Sequence, residues 1–346
     1  MSNHSEVNYI EALSGLRGLA AILVVLSHTS MLTFLGLGQY FGTSGVMIFF
    51  TLSGFLMSYL YAQKQPTFKK ITSYSISRFS RVAPLYLLVV MVSYLFFRLD
   101  SNYPIQIDNS NFIRHLLFSG SENILWSIPP EVQYYVFFIL VWLGCFQFFA
   151  YKKIYLIIAM LLITCIFLLI REDLPGIFFG FHILFFLLGS VLGLIRSKIN
   201  VSVNKYLNLF QVLTIALFVT VVQYNSLKLS ILEIDSLDKM NMFYGLNSNL
   251  LIILLLVFLF SFDTKFSKNF FGNYVMKKIG DSSFSLYLTH VVTIYYLSKI
   301  IPESLIGTVF MILISIVVAH VIYLIIERPL VDRTKKLLVK NVLARM

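Results

Sequence analysis

Long apolar stretches separated by short polar segments run along almost the whole chain. A helix needs about 20 mostly apolar residues to cross a bilayer. Between Arg17 and Lys64 there are 46 residues without Asp, Glu, Lys or Arg, which suffices for two helices joined by a turn at 36–45. Eight further stretches are poor in charge: 82–97, 132–151, 154–170, 174–195, 206–227, 240–262, 282–298 and 304–326. The pattern predicts an all-α polytopic integral membrane protein with about ten transmembrane helices.

The distribution of basic residues predicts on which side of the membrane each loop lies. Lys and Arg accumulate in cytoplasmic loops, and ten helices would place both ends of the chain on one side. With a cytoplasmic N-terminus, six of the 27 basic residues fall outside: Arg98, Arg114, Arg171, Lys228, Lys239 and Lys299. We therefore expect both termini to be cytoplasmic. The first apolar stretch is too long for a cleavable signal peptide, and 1–346 is expected to be one membrane-embedded domain with no appended soluble domain.

The composition supports a membrane protein and excludes several other classes. Of the 346 residues, 58% are hydrophobic and 12% are charged, whereas ordinary soluble domains carry about 25% charged residues. A disordered chain, a disulfide-stapled secreted module and a typical cytosolic enzyme do not fit these values. The net charge of +11 is explained by basic cytoplasmic loops, so we expect no nucleic-acid partner. Cys145 and Cys165 lie in apolar stretches without metal-ligand spacing, and no metal site is expected.

The first predicted helix carries two polar side chains that share a face. Arg17 and His28 are 11 residues apart, which corresponds to three helical turns and a rise of about 16 Å. One interpretation is a cation at the cytoplasmic mouth of a site, with a proton-accepting imidazole deeper in the membrane. The other is an arginine that reaches to the membrane surface and a histidine that is hydrogen-bonded within the core. Intramembrane ionisable residues are functional candidates by default.

Two arginines precede the third predicted helix. Arg78 and Arg81 stand at i and i+3, so a helix would place them side by side. A pair of guanidinium groups matches the geometry of phosphate. The alternative is an anchor at the cytoplasmic lipid headgroups.

The fourth predicted helix begins with another group of candidate residues. Pro129 and Pro130 suit a helix start, and Glu131 would then complement the helix dipole from the first turn. A functional interpretation is a carboxylate that orients a base or binds a sugar hydroxyl. Trp126 fits either an interfacial anchor or a platform for a sugar ring.

Three further histidines fall within apolar stretches. His290 is a second candidate imidazole in the membrane, whereas His182 and His320 are interpreted as core histidines. Near the C-terminus, Glu327 and Arg328 are followed by Pro329, which is expected to end the last transmembrane helix.

Six motifs in this order resemble the membrane-bound acyltransferase 3 family. They are 13–21 with His28, 49–55, 78–81, 125–127 with Glu131 and 133–135, 285–290, and 327–329. The resemblance implies transfer of an acyl group, usually acetyl, from cytoplasmic acyl-CoA to a hydroxyl of a sugar or another acceptor, often on a glycan of the cell envelope. It also implies an integral protein of the bacterial inner membrane.

The resemblance assigns roles to individual residues. It places Arg17 and His28 at the active site, Arg78 and Arg81 at the acyl-CoA site, and Glu131 in the Trp-Ser…Glu motif. We expect three further residues to contact substrate: Trp126, Ser127 and His290. The family usually has Ser-Val-Glu-Glu where this chain has Pro129-Pro130-Glu131-Val132, so the second acid of that motif is absent.

These roles combine into a hypothesis for the reaction. Arg17, Arg78 and Arg81 would bind the donor phosphates. His28 would remove the acceptor's proton, and the oxygen would attack the thioester directly; a covalent acyl-histidine is the variant. Two other functions stay open at this point. One is a proton-coupled transporter or flippase of a glycan intermediate, with His28 and Glu131 as relay groups. The other is a membrane-embedded assembly partner without activity.

Overall fold

A computed structural model of the chain describes residues 10–38, 40–199, 205–232, 236–245 and 247–342. Within these ranges the chain is helical and contains no strand, as predicted. In chain order the α-helices are α1 (Glu11–Ser27), α2 (Met31–Phe34), α3 (Phe41–Tyr61), α4 (Phe68–Leu99), α5 (Phe112–Leu116), α6 (Ile128–Tyr151), α7 (Tyr155–Leu169), α8 (Ile183–Lys198), α9 (Lys205–Ile231), α10 (Ser236–Tyr244), α11 (Ser248–Leu259), α12 (Lys265–Phe270), α13 (Tyr274–Asp281), α14 (Ser283–Ser298), α15 (Leu305–Ile322) and α16 (Arg328–Val342).

Several helical segments have the length and composition of membrane spans. In the described part of the chain these are six: Phe41–Tyr61, Phe68–Leu99, Asn123–Tyr151, Phe179–Lys198, Lys205–Leu229 and Leu305–Val342. They coincide with six of the ten predicted stretches. The other four stretches contain α1, α7, α11 and α14, which are 17, 15, 12 and 16 residues long. The total of ten crossings and the cytoplasmic position of both termini stay predictions.

Helix α3 lies at the centre of the bundle and packs against α1, α8 and α11. Its contact with α8 depends on glycines. A Cβ atom on Gly54 would lie 2.0 Å from the carbonyl oxygen of Phe186, and one on Gly193 would lie 2.2 Å from that of Phe55. Small residues spaced four apart allow membrane helices to approach at backbone distance, and Gly189 and Gly193 have this spacing. The close contact fixes the helix that supplies one wall of the functional site.

Helix α4 begins earlier than the sequence predicted. The hydropathy of the chain rises at 82, but the helix starts at Phe68, where the Thr67 side chain accepts a hydrogen bond from the Lys70 amide. Its 32 residues correspond to about 48 Å. Arg78 and Arg81 therefore lie within a continuous helix, as their i and i+3 spacing predicted, and are half-buried. The apolar stretch 82–97 marks only the later part of this helix, because hydropathy alone does not show where a helix begins.

Pro329 does not end the last helix. Helix α15 continues through a π turn at Tyr323–Glu327 into α16, which extends to Val342. A proline removes one hydrogen bond of the i to i−4 pattern and crowds the preceding turn. The π turn interrupts that pattern just before Pro329, so the helix accommodates the proline without stopping.

The segment between α4 and α6 is folded into the bundle rather than left as an open loop. Tyr103, Ile105 and Ile107 are buried, and the Tyr86 hydroxyl of α4 donates to the carbonyl oxygen of His115 at 3.0 Å. A 3₁₀ turn at Asn123–Ser127 leads directly into α6. These contacts fix the start of α6, where Glu131 stands.

Exchange of one glycine at the contact between α3 and α8 should destabilise the protein. In Gly193→Ala the new Cβ meets backbone, so the two helices must separate, at a cost of about 1–3 kcal/mol for overpacking. Gly144→Ala is the matched control, because its Cβ would lie 2.9 Å from the flexible end of the Met160 side chain. Thermal unfolding in detergent should show a clear loss of melting temperature for Gly193→Ala alone. Equal melting temperatures would contradict this account of the packing.

Candidate active site

A cavity opens where α1, α3, α4, α6 and α14 meet. It encloses about 710 Å³ of space, including its open mouth. Its lining consists of polar and charged groups set among apolar side chains: Arg17, Val46, Phe49, Phe50, Leu52, Ser53, Leu56, Arg78, Arg81, Val82, Ser127, Ile128, Glu131, Tyr135, Ser283, Phe284 and Tyr287. Five residues predicted at separate places in the sequence meet here: Arg17, Arg78, Arg81, Ser127 and Glu131.

Three guanidinium groups line this cavity, and in the described ranges none of them forms an ion pair with a carboxylate. Arg17, Arg78 and Arg81 are half-buried. Within the described ranges, the ion pairs closer than 4 Å are those of Lys277 with Glu11 and Lys299 with Asp100, so none of the three arginines has a carboxylate partner. Burial in a low-dielectric wall strengthens their combined field. The cavity is therefore suited to a ligand with several negative charges.

The side chain of Arg78 lies among aromatic rings. Its guanidinium carbon is 5.9 Å from the ring centroid of Tyr61, 5.8 Å from that of Tyr74 and 5.9 Å from that of Tyr135. Such contacts attract a cation without neutralising it. Arg78 is thereby held at the cavity while its charge stays available to a ligand.

Arg17 is positioned by the close approach of α1 to α12 and α13. A Cβ atom on Gly15 would lie 1.9 Å from the carbonyl oxygen of Phe271, and one on Gly280 would lie 1.9 Å from that of Ser14. Glycines at these two positions let α1 approach at backbone distance. Arg17 then donates to the Ser283 hydroxyl at 3.2 Å, at the start of α14.

Glu131 is held by two hydroxyl groups in the first turn of α6. Ser53 of α3 and Tyr135 of α6 both donate to its Oε1 at 2.6 Å. Glu131 stands in the first turn of α6, as predicted, and it also lines the cavity. It contributes the carboxylate of a cavity otherwise dominated by cations.

His28 and His290 lie apart from this cavity and next to each other. Helix α1 ends at Ser27, and His28 follows it as an exposed residue that is absent from the described cavity lining. Its ring centroid is 4.9 Å from that of His290, with the planes at 65°. Tyr287 connects the two places, since it lines the cavity and its ring centroid is 6.0 Å from that of His290. The structure thus separates an arginine cavity from a histidine pair, which sequence reasoning placed in one path.

The side chains of Trp126 and Ser127 have different surroundings although the two residues are neighbours in sequence. Ser127 lines the cavity and donates to the Tyr287 hydroxyl at 2.7 Å. Trp126 is half-buried beside Phe50 and His182, with ring centroids 6.5 Å and 5.7 Å away. It packs in an aromatic cluster and is absent from the described cavity lining, and its contact with substrate stays a prediction.

Other members of the site were not recognised in the sequence. Ser53, Tyr135, Ser283 and Tyr287 all line the cavity. Tyr135 stands four residues after Glu131, a spacing that places two side chains on one helix face, so this pair was readable from the sequence. Ser53 was not, because its contact with Glu131 joins two different helices.

The comparison with known families decides the class of protein. A family model described as an acyltransferase domain, that of the acyltransferase 3 family, matches residues 10–324 of the 346. The chain belongs to the acyltransferase 3 family. It is therefore an integral membrane acyltransferase that transfers groups other than aminoacyl groups. The motif at 327–329 lies beyond the matched range. No curated protein and no solved structure gives a significant match to the chain.

The hydrogen bond between Tyr135 and Glu131 should appear as a coupling energy. Loss of a hydrogen bond to a charged group costs about 1.5–3 kcal/mol, so Tyr135→Phe should destabilise the protein strongly when Glu131 is present and weakly beside Glu131→Gln. Chemical unfolding of the two single variants and the double variant in detergent measures this coupling.

The neighbouring tyrosine supplies the control for that cycle. Tyr134 donates to the Phe186 carbonyl oxygen at 3.2 Å and its hydroxyl is 2.7 Å from that of Ser190. Tyr134→Phe and Glu131→Gln should therefore act additively. A coupling as large as that of Tyr135 would show that the effect is not specific to this bond.

Proposed function

We propose that this protein transfers an acyl group, in the first place acetyl, from acyl-CoA to a hydroxyl group of a sugar in an envelope glycan. The observation that carries the proposal is the cavity with three guanidinium groups that lack carboxylate partners. Coenzyme A thioesters carry several phosphate charges, and arginine pairs bind phosphate through parallel hydrogen bonds. Membership of the acyltransferase 3 family supports the type of reaction.

Arg78, Arg81 and Arg17 bind the donor phosphates in this proposal. Arg78 and Arg81 are one helical turn apart on α4, and Arg17 faces the same cavity from α1. A donor seated here loses part of its hydration and gains charge-assisted hydrogen bonds. Glu131 lines the same cavity rather than contacting His28, so we assign it to holding a hydroxyl or amide group of a substrate.

His28 is the general base in this proposal. It lies at the opposite end of α1 from Glu11, about 16 Å along the helix from Arg17, and it is exposed. The pantetheine arm of the donor would extend from the arginines past Tyr287 and bring the thioester to the imidazole. An exposed base at that end is accessible to an acceptor that arrives from the other side of the membrane.

The transfer then proceeds in one displacement. His28 removes the proton of the acceptor hydroxyl, and the oxygen attacks the carbonyl carbon of the thioester. The carbon–sulfur bond breaks, and the departing thiolate takes the proton from the imidazolium. In the variant mechanism His28 itself attacks and forms an acyl-histidine, which the acceptor then cleaves.

The predicted topology completes the proposal. Ten crossings with both termini in the cytoplasm open the arginine cavity toward cytoplasmic acyl-CoA and place His28 toward the far side. The corresponding location is the inner membrane of a bacterium. The acceptor would then be a glycan intermediate or a surface polysaccharide outside the cytoplasm.

His28→Ala should abolish acetyl transfer without unfolding the protein, because the general base is removed and the exposed side chain contributes little packing. The assay is incorporation of labelled acetyl from acetyl-CoA into envelope glycan by membrane vesicles. His320→Ala is the control, since His320 lies on α15 away from the cavity lining. Turnover by His28→Ala near that of the unmodified protein would remove His28 from the chemistry. Altered glycan export without incorporation of acetyl would indicate a transporter instead.

Arg78→Gln and Arg81→Gln should each raise KM for acetyl-CoA about tenfold or more, because one charge-assisted hydrogen bond contributes about 1.5–3 kcal/mol. Their kcat should change less, since the arginines hold the donor rather than the reacting atoms. Arg98→Gln is the matched control on the same helix, because Arg98 is exposed near the end of α4. An equal KM in all three variants would exclude the arginine cavity as the donor site.

A further inference from the structure

His290 has a buried nitrogen without a hydrogen-bond partner. The residue has no solvent-exposed surface. Its Nδ1 is 2.8 Å from the Tyr287 carbonyl oxygen and 3.1 Å from that of Leu286. Because carbonyl oxygens only accept, these contacts assign the ring hydrogen to Nδ1. Nε2 then carries a lone pair, and within the described ranges nothing donates to it.

An unsatisfied polar atom in a protein interior calls for an explanation. Two aromatic rings contact His290 in the described part of the chain, those of His28 and Tyr287. The Tyr287 hydroxyl is already engaged, because it accepts from Ser127 at 2.7 Å and donates to the Ile124 carbonyl oxygen at 2.8 Å. Of these two rings, His28 is the one that can still supply a hydrogen to Nε2.

The separation of the two histidine rings suits such a bond. A hydrogen bond of 2.9–3.0 Å between two imidazole nitrogens places the ring centres about 5 Å apart, and the observed separation is 4.9 Å. Nε2 has no partner in the observed conformation, so the bond requires the His28 ring to turn. His28 is exposed and follows the last turn of α1, so its ring has room to turn. Catalytic hydrogen bonds are often poorly aligned before substrate binds.

We propose that His290 is a positioning residue for His28: its Nε2 accepts a hydrogen bond from one ring nitrogen of His28, so that the other ring nitrogen faces the acceptor as the base. This inference rests on the proposed function, in which His28 is the general base. It replaces the expectation that His290 contacts substrate, because a side chain without exposed surface cannot reach one.

The protons balance with His290 neutral throughout. Before reaction, His28 is neutral and its single N–H points to Nε2 of His290. The free nitrogen of His28 takes the proton of the acceptor hydroxyl as the oxygen attacks the thioester, and the departing thiolate takes that proton back. The N–H toward His290 stays in place, and Nδ1 of His290 keeps its hydrogen on the Tyr287 carbonyl. His290 thus fixes the tautomer and direction of the base, the role that an acidic residue has in a Ser-His-Asp triad.

Two substitutions at 290 separate this role from a structural one. His290→Phe keeps a ring of similar volume and removes the acceptor, whereas His290→Gln keeps a polar acceptor near the position of Nε2. With labelled acetyl-CoA and envelope glycan in membrane vesicles, His290→Phe should lower kcat about 100-fold, a typical contribution of an oriented base, and leave KM for acetyl-CoA within about twofold. His290→Gln should recover most of kcat.

A second readout does not depend on turnover. The ring ¹⁵N signals of His28, assigned by their loss in His28→Ala, report which nitrogen carries the hydrogen. They should show one dominant tautomer in the unmodified protein and in His290→Gln, and a mixture in His290→Phe. Unchanged His28 signals in His290→Phe would overturn the proposal, because the two rings would then not be coupled.

The kinetic outcomes are equally decisive. Full kcat in His290→Phe, a rise in KM with kcat unchanged, or equal inactivity of the Phe and Gln variants with lowered melting temperature would each overturn the positioning role. A failure of the proposed function has a different signature, in which the unmodified protein transfers no acetyl or His28→Ala retains full transfer. In that case the ¹⁵N signals still decide whether the two histidines are coupled.

Discussion

The site is governed by one electrostatic constraint, which is that three guanidinium groups share a half-buried cavity and none of them meets a carboxylate within 4 Å in the described part of the chain. Three cations close together in a low-dielectric wall repel one another, which is unfavourable unless other groups stabilise them. Tyrosine rings surround Arg78, and the Ser283 hydroxyl accepts from Arg17. These neutral groups position the cations but leave their charge to an anionic ligand.

Close backbone contacts position the helices that form the site. Arg17 reaches the cavity because Gly15 and Gly280 let α1 approach its neighbours at backbone distance, and the wall on the other side is fixed by the glycine contact of α3 with α8. Arg78 and Arg81 reach the cavity because α4 begins at Phe68, before its apolar part starts at 82. Within the described ranges none of the three arginines forms an ion pair, so their charges stay available to an anionic ligand.

The helical class and most of the helix positions were predictable from the sequence, because apolar length is a local property. The beginning of α4 and the end of the last helix were not predicted, because they depend on tertiary structure. Helix α4 continues through the polar residues before 82, of which Arg78 and Arg81 line the cavity, and Pro329 is passed because a π turn precedes it. The sharing of one site by Arg17, Arg78 and Glu131 was implied by the family resemblance and not by spacing. The link of Glu131 to Ser53, and the place of Trp126 in an aromatic cluster, depend on which helices are neighbours, which hydropathy does not encode.

If His28 is the base, as proposed, its separation of about 16 Å along α1 from Arg17 has a physical advantage for catalysis. A base must become a cation when it takes a proton, and each neighbouring cation opposes that change. At 4 Å and an effective dielectric of about 20, one unit charge opposes another by about 4 kcal/mol, and at 16 Å by about 1 kcal/mol. Arginines close enough to touch both the donor phosphates and the imidazole would therefore suppress the chemistry that they support. In the proposed mechanism the length of α1 resolves this conflict, because Arg17 lies in the second turn of α1 and His28 follows its last residue. Tyr287 lines the cavity and also contacts the ring of His290.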